Sequence, residues 1–179
     1  MTVRYFAYGS NLLAARLRER TPSARRIGRG KLSAHRLRWH KRGVVDGSGK
    51  CDASMNGDNA DFVWGALFEI ADTECAQLDS AEGLGRGYRN RQLQIETASG
   101  MLTAFAYVAT PDAVDDTLAP FDWYRDLVVA GARESELPDR YIGALAAVRA
   151  VADSDHERAR RHRRLLGTAR GRRRSMNTR

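Results

Sequence analysis

Long apolar runs are missing from this 179-residue chain, and no stretch approaches the ~18 residues that a membrane-spanning helix needs. Cysteine is scarce as well. Cys51 and Cys75 are the only two, and they sit in neither CxxC nor zinc-ligand spacing. A disulfide framework is excluded, and two idle thiols in a reducing cytosol are the expectation. The chain starts straight into a strand pattern with no secretory signal, which agrees with a cytoplasmic setting. The four histidines, His35, His40, His156 and His162, form no HExxH and no cluster with Cys. No metal site and no cofactor are therefore expected. A GxSxG nucleophile elbow is absent, and Ser10 has no base near it in sequence, which argues against a serine hydrolase. Gly83, Gly85 and Gly87 alternate in a glycine-rich stretch, but it leads into a strand, so it fails as a dinucleotide-binding turn.

Acidic residues are nearly absent from one region. From His156 onward there are ten Arg and one Glu, a local charge of +9, whereas the preceding residues sum to −1. The body is neutral and the end is strongly basic. That asymmetry speaks for an ordinary domain at residues 1–152 with an Arg-rich extension at 153–179, partly helical or disordered, and against a nucleic-acid-binding fold. Contact with nucleic acid is expected only as non-specific attraction through that extension.

What is present begins almost at the start. An apolar run through Tyr5, Phe6, Ala7 and Tyr8 stops at Gly9-Ser10-Asn11, and a helical pattern of Leu12, Leu13, Arg16, Leu17 and Arg20 follows at once. A strand, a tight turn and a helix start lie within a dozen residues. Such a turn leaves backbone N–H groups unpaired and aimed one way, where they hold a carboxylate or an oxyanion. Ser10 or Asn11 is the natural helix cap.

Further along, residues 25–39 carry loose alternation for one strand or two, and residues 43–59 read as a long loop with at most a short strand near Ala53. Residues 62–70 read as a strong strand. Asp72 caps a helix that runs through Leu78 and stops at Glu82-Gly83. Residues 88–96 and 101–109 pair as a hairpin about Ser99-Gly100. Helices follow at 121–133 and 140–152, and residues 153–166 have the makings of a third. Strands come first, in hairpin-like pairs, and helices come later. The predicted class is α+β around a small, mainly antiparallel sheet or barrel.

Glu82 is the candidate acid–base group. It ends an apolar-faced helix, and the glycines after it allow close approach to a ligand. On pattern alone a solvated helix-end charge is the alternative.

The segments together resemble the γ-glutamylcyclotransferase family. Phe6-Ala7-Tyr8-Gly9-Ser10-Asn11-Leu12 is similar to its signature, Asp61-Phe62-Val63-Trp64-Gly65 to its Val-Trp-Gly strand, and Leu78-Asp79-Ser80-Ala81-Glu82-Gly83 to the segment with its catalytic glutamate. Gly131-Ala132-Arg133-Glu134, Leu137-Pro138 and Tyr141 resemble its late motif. The match is collinear over residues 4–148. It implies a small mixed β-barrel with surrounding helices. It implies that Tyr5, Phe6, Ala7, Tyr8, Gly9, Ser10 and Asn11 line the substrate site, mostly through backbone groups, with Tyr107 touching substrate and Glu82 as the acid–base residue. Asn11 points to the branch acting on γ-glutamyl amino acids, since the glutathione-specific branch typically lacks it. The implied reaction closes the γ-glutamyl group into 5-oxoproline and releases an amino acid. Relatives include dimers, so a homodimer is an expectation of the resemblance. The glycine-rich link after Glu82 and the 43–59 segment depart from the family pattern, which leaves the leaving-group side open. A γ-glutamyl amine or a γ-glutamyl-protected biosynthetic intermediate is the alternative substrate. A non-catalytic protein whose basic tail binds RNA or another anion is the alternative of a different class.

Overall fold

A computed structural model describes residues 1–176, with side chains to residue 167. Five strands close into a barrel in the order β1 (Thr2–Ala7), β5 (Phe62–Ala71), β2 (Arg25–Ser33), β6 (Tyr88–Thr97) and β7 (Gly100–Ala109). A separate two-stranded sheet is formed by β3 (His35–Arg42) and β4 (Gly49–Met55). All the barrel pairings are antiparallel except β1 with β7, which meet in parallel at Tyr5 and Phe105. The barrel is therefore mixed, as expected.

β5 pairs on both edges, with β1 and with β2. A strand so enclosed reads as a continuous apolar run, which is why it is so plain in the sequence. Phe6, Val63, Ala66, Phe68, Ile70 and Ile95 are sealed from solvent. The helices α1 (Ala14–Arg18), α2 (Cys75–Glu82), α3 (Asp122–Glu134), α4 (Asp139–Ala146) and α5 (His156–Met176) surround this core. In α3 the buried Tyr124, Leu127, Val128 and Gly131 recur at helical spacing and face inward. Gly131 lets that face come very close: a Cβ there would lie 2.2 Å from the Leu13 nitrogen.

Three expectations change. The segment at 43–59 contains β4, which pairs with β3 from His35–Met55 to Arg42–Gly49. Its buried Asp52 hid the alternation, because that carboxylate is satisfied by the Ala109 N–H at 2.7 Å and by His40 at 3.1 Å. The 25–39 segment holds the second of the two outcomes its alternation allowed: β2 and β3 part at Ala34, which takes a left-handed φ of 58° and turns the chain from the barrel into the second sheet. The first helix is shorter than its pattern. Ser10–Leu12 forms a 3-10 turn, Leu13 is extended, and α1 begins only at Ala14, because α3 packs directly on this turn. The helix expected at 140–152 ends at Ala146, and Val151 instead pairs in parallel with Phe121.

The Arg-rich segment folds as α5. Its first turns dock on α3, with Ala159 buried and the His162 ring stacked on Trp123 at 4.0 Å. Arg158 grips the buried Asp153 at 2.5 Å, and Asp153 in turn accepts from the Trp123 indole at 2.8 Å. Residues 177–179, part of the extension named from sequence, lie outside the described residues. Among the described residues no helix is long and apolar enough to cross a membrane.

Candidate active site

The chain reverses at the end of the barrel where β1 and the parallel β7 both finish. A narrow pocket opens there, lined by Tyr5, Tyr8, Gly9, Ser10, Asn11, Cys51, Glu82, Tyr88, Tyr107 and Tyr124. Ser10 and Asn11 open the 3-10 turn, so their N–H groups have no acceptor within it. Neither side chain caps the helix. The Ser10 hydroxyl instead accepts from Arg16 Nε at 2.9 Å, and Asn11 turns toward Glu82.

Glu82 is the last residue of α2. Gly83 follows with a left-handed φ of 72° and sends its N–H back to the Ser80 carbonyl, which ends the helix there. The Glu82 side chain is only 17% exposed. Asn11 Nδ2 donates to Glu82 Oε1 at 3.0 Å and to the Tyr5 hydroxyl at 3.0 Å. Arg20 also donates to Glu82 Oε1, and to Asn11 Oδ1 at 3.0 Å. Both donors land on the same oxygen. Oε2 has no hydrogen-bond partner among the described residues, which leaves it open to a ligand in the pocket.

The tyrosines form the walls. Tyr107 donates to Asp79 Oδ1, one turn before Glu82 on α2, at 2.6 Å, and its carbonyl accepts from the Tyr8 hydroxyl. Tyr88 donates to the Cys51 carbonyl at 2.5 Å, and the Cys51 N–H donates to the Tyr124 hydroxyl at 3.1 Å. Burial pushes the Tyr5, Tyr8, Tyr88, Tyr107 and Tyr124 hydroxyls above the ordinary tyrosine range, so all are neutral donors near neutral pH. Burial raises the Cys51 thiol too, which rules it out as a thiolate nucleophile at neutral pH. Arg16 is buried, which lowers its guanidinium to about 10 and still leaves it cationic at neutral pH. It places a positive charge directly behind Ser10.

The structure thus gathers Tyr5, Tyr8, Gly9, Ser10, Asn11, Tyr107 and Glu82 from four separate elements. Phe6 and Ala7, also expected at the site, are not among its lining residues. They are fully buried, with the Phe6 ring packed over Gly65 and the Ala7 backbone against the same glycine. Arg86 and Arg89 are exposed, and Trp64 lies outside the lining. Sequence reasoning missed Cys51, Tyr88 and Tyr124 of the lining, and Arg16 and Arg20, which hold Ser10 and Glu82. The signal for the last two was there: two arginines at the apolar spacing of Leu12, Leu13 and Leu17, where a solvated arginine has no reason to sit. Among the described residues no group of three or more His, Cys, Asp or Glu is placed to hold a metal ion.

The geometry has counterparts. The model of the AIG2-like family matches residues 62–145, from β5 to the end of α4. The chain is 30% identical over 153 residues to the human protein named γ-glutamylcyclotransferase, with 80% of this chain and 77% of that one covered. The bovine protein of the same name is 31% identical over 146 residues, with 76% and 73% covered.

This chain belongs to the γ-glutamylcyclotransferase family.

A solved structure titled as a γ-glutamyl cyclotransferase superposes with a TM-score of 0.78 at 26% identity, over 86% of this chain and 92% of that one. The fold is thus that of the family, with the closed barrel and surrounding helices.

Proposed function

We propose that this protein is a γ-glutamylcyclotransferase that converts γ-glutamyl amino acids to 5-oxoproline and a free amino acid. The observation that carries the reading is the pocket-lining Glu82 carboxylate held through Oε1 by Asn11 and Arg20 beside the open turn at Ser10-Asn11, with Oε2 left without a hydrogen-bond partner among the described residues. The names of the relatives agree with it.

The chemistry follows from the groups present. The α-amine of a γ-glutamyl substrate attacks its own side-chain amide carbonyl and closes a five-membered lactam. An ammonium has no lone pair to attack with, so Glu82 first takes a proton through Oε2. As the C–N bond forms, the carbonyl oxygen gains negative charge, and the turn's N–H groups are the available donors for it. The amide nitrogen leaves only once protonated, and Glu82 returns the proton to it as the C–N bond breaks. Acid–base assistance of this kind is worth about 10²–10⁴-fold. Neutral tyrosine walls exclude water and hold the chain folded so that amine meets carbonyl. Arg16 and Arg20 give the pocket a positive field that suits an anionic substrate.

Glu82→Gln keeps the volume and the acceptor for Asn11 and Arg20 but no longer takes a proton. We expect a folded protein that loses about 10²–10⁴-fold in 5-oxoproline release from γ-glutamyl-alanine. Near-normal release by this variant removes Glu82 from the mechanism.

A further inference from the structure

Lys41, on β3, is the most unusual charged group outside the catalytic cluster. It is only 2% exposed and ranks among the largest fully buried side chains of the molecule. Its ammonium has no ion pair and no hydrogen bond among the described residues. It lies over the Tyr88 ring, 4.4 Å from the centroid. The side chain is buried while the ammonium itself keeps a trace of access, and a cation so placed calls for an anion or water to answer it, because desolvation is costly. The neighbouring strand shows the ordinary solution. Lys50 is cross-strand partner to Lys41 and partly buried, and it pairs with Asp46 at 2.8 Å. One lysine is satisfied within the protein and the other is not.

The position of Lys41 is as telling as its lack of a partner. Tyr88 lines the pocket. Its hydroxyl bonds to the Cys51 carbonyl, and Cys51 Cβ is only 3.2 Å from where a Gly9 Cβ would stand, so this end belongs to the Gly9–Asn11 turn. The Tyr88 ring face carries Lys41. Gly87 completes the seat, since a Cβ there would meet Lys41 Cε at 3.0 Å and Nζ at 3.4 Å. Burial pulls the Lys41 ammonium down, and the Glu82 carboxylate, acting on it from the catalytic cluster, pulls it back up. The charges of Lys50 and Arg86 oppose the cation further, and Asp46 favours it. Lys41 is not itself a lining residue; it packs on one of them, Tyr88, and against Gly87 of the glycine-rich link that follows Glu82, at the edge of the pocket.

We infer that Lys41 is a specificity-determining residue that binds the carboxylate of the leaving amino acid. The inference rests on the proposed cyclotransferase reading and deepens it. A γ-glutamyl amino acid carries a second carboxylate on the leaving side, and a γ-glutamyl amine does not. The ammonium gains a counter-ion only with the first kind of substrate. The Gly83–Gly87 link and the β3–β4 hairpin, where this chain departs from the family pattern, are then the parts that choose the leaving group.

The test uses a matched pair. γ-Glutamyl-ethylamide is γ-glutamyl-alanine without the alanine carboxylate. Wild type is expected to favour γ-glutamyl-alanine in kcat/KM. Lys41→Met is expected to lower kcat/KM for γ-glutamyl-alanine about 10–100-fold more than for γ-glutamyl-ethylamide, the range of a hydrogen bond to a charged group. Lys41→Gln, which keeps a donor, is expected to lie between, and circular dichroism reports the fold of both. Equal losses on both substrates make Lys41 a structural residue and overturn the inference, as does a wild type with no preference. If wild type releases 5-oxoproline from neither compound, the cyclotransferase reading fails by itself. Calorimetric binding of the two compounds then decides the inference: a preference for γ-glutamyl-alanine that Lys41→Met abolishes supports it, and equal binding overturns it.

Discussion

Asn11 is the hinge of the site at the level of single residues. One amide ties together Tyr5, Arg20 and Glu82, which come from β1, the end of the first helical segment and α2. It is 3% exposed, so the donors and acceptors it serves have no water to turn to. Asn11→Ala is expected to lower stability by about 1–3 kcal/mol, the cost of stranding buried polar groups. The carboxylate also loses one of its two anchors, so kcat is expected to fall while KM changes less. Urea denaturation and steady-state kinetics on one preparation check both parts. A stability loss with unaltered kcat means that Arg20 alone orients Glu82. The sequence revealed Asn11 only as part of a motif or as a helix cap. What it does was invisible there, because its partners lie up to 71 positions away.

The decisive contact among secondary-structure elements is α3 on the turn after β1. Gly131 brings the α3 backbone so near that any side chain would collide with Leu12 and Leu13, two residues from Ser10 and Asn11. Gly131→Ala is expected to cost about 3 kcal/mol, the upper range for overpacking, because the clash is with backbone rather than a yielding side chain. It is also expected to lower cyclotransferase activity by shifting the turn. Thermal unfolding with a parallel 5-oxoproline assay tests this. Wild-type stability would mean that the two elements separate without strain. α5 acts at the same level. Its His162 stacks on Trp123 of α3 and takes a hydrogen bond from Arg16 of α1 at 3.1 Å, so the basic helix reaches the group that holds Ser10.

The whole molecule joins these contacts to pH. Burial, and then the Arg16 charge, push the His162 imidazole down to about 4. The unfolded chain takes up that proton near the ordinary value of about 6.5. Above that value both states are neutral at this site and stability is flat. As pH falls through 6.5 toward 4 the unfolded state binds the extra proton, so stability declines over that window. Asp153, held below the usual carboxylate range first by Arg158, adds its loss only under more acid conditions. The melting temperature is therefore expected to fall between pH 7 and pH 5, and to fall less in His162→Phe, which keeps a stacking ring and removes the titration. Equal slopes for the two proteins assign the decline to other groups.

Local pattern made the barrel legible. β5 is apolar throughout because it is enclosed on both edges, the β6–β7 hairpin alternates about a Gly turn, and α2 stops where a glycine permits a left-handed residue. These are properties of neighbouring residues and survive in one dimension. The same is true of the turn after Tyr8 and of Glu82 as a carboxylate at a helix end, which the ordered motifs joined into one site. β4 was legible only as a short strand near Ala53, since its buried Asp52 is explained only by partners on β3 and β7. The fate of the Arg-rich segment was not legible, for its composition shows charge but not the Trp123 ring and Asp153 carboxylate on which it docks. Most elements, the class of fold and the acid–base candidate were readable in one dimension, because propensity and periodicity act over a few residues. Tertiary structure alone decided which oxygen of Glu82 is free, that Arg16 and Arg20 turn inward, and that Lys41 is buried without an anion. Those outcomes depend on desolvation and on partners far apart in the chain, and neither is written in any local stretch of it.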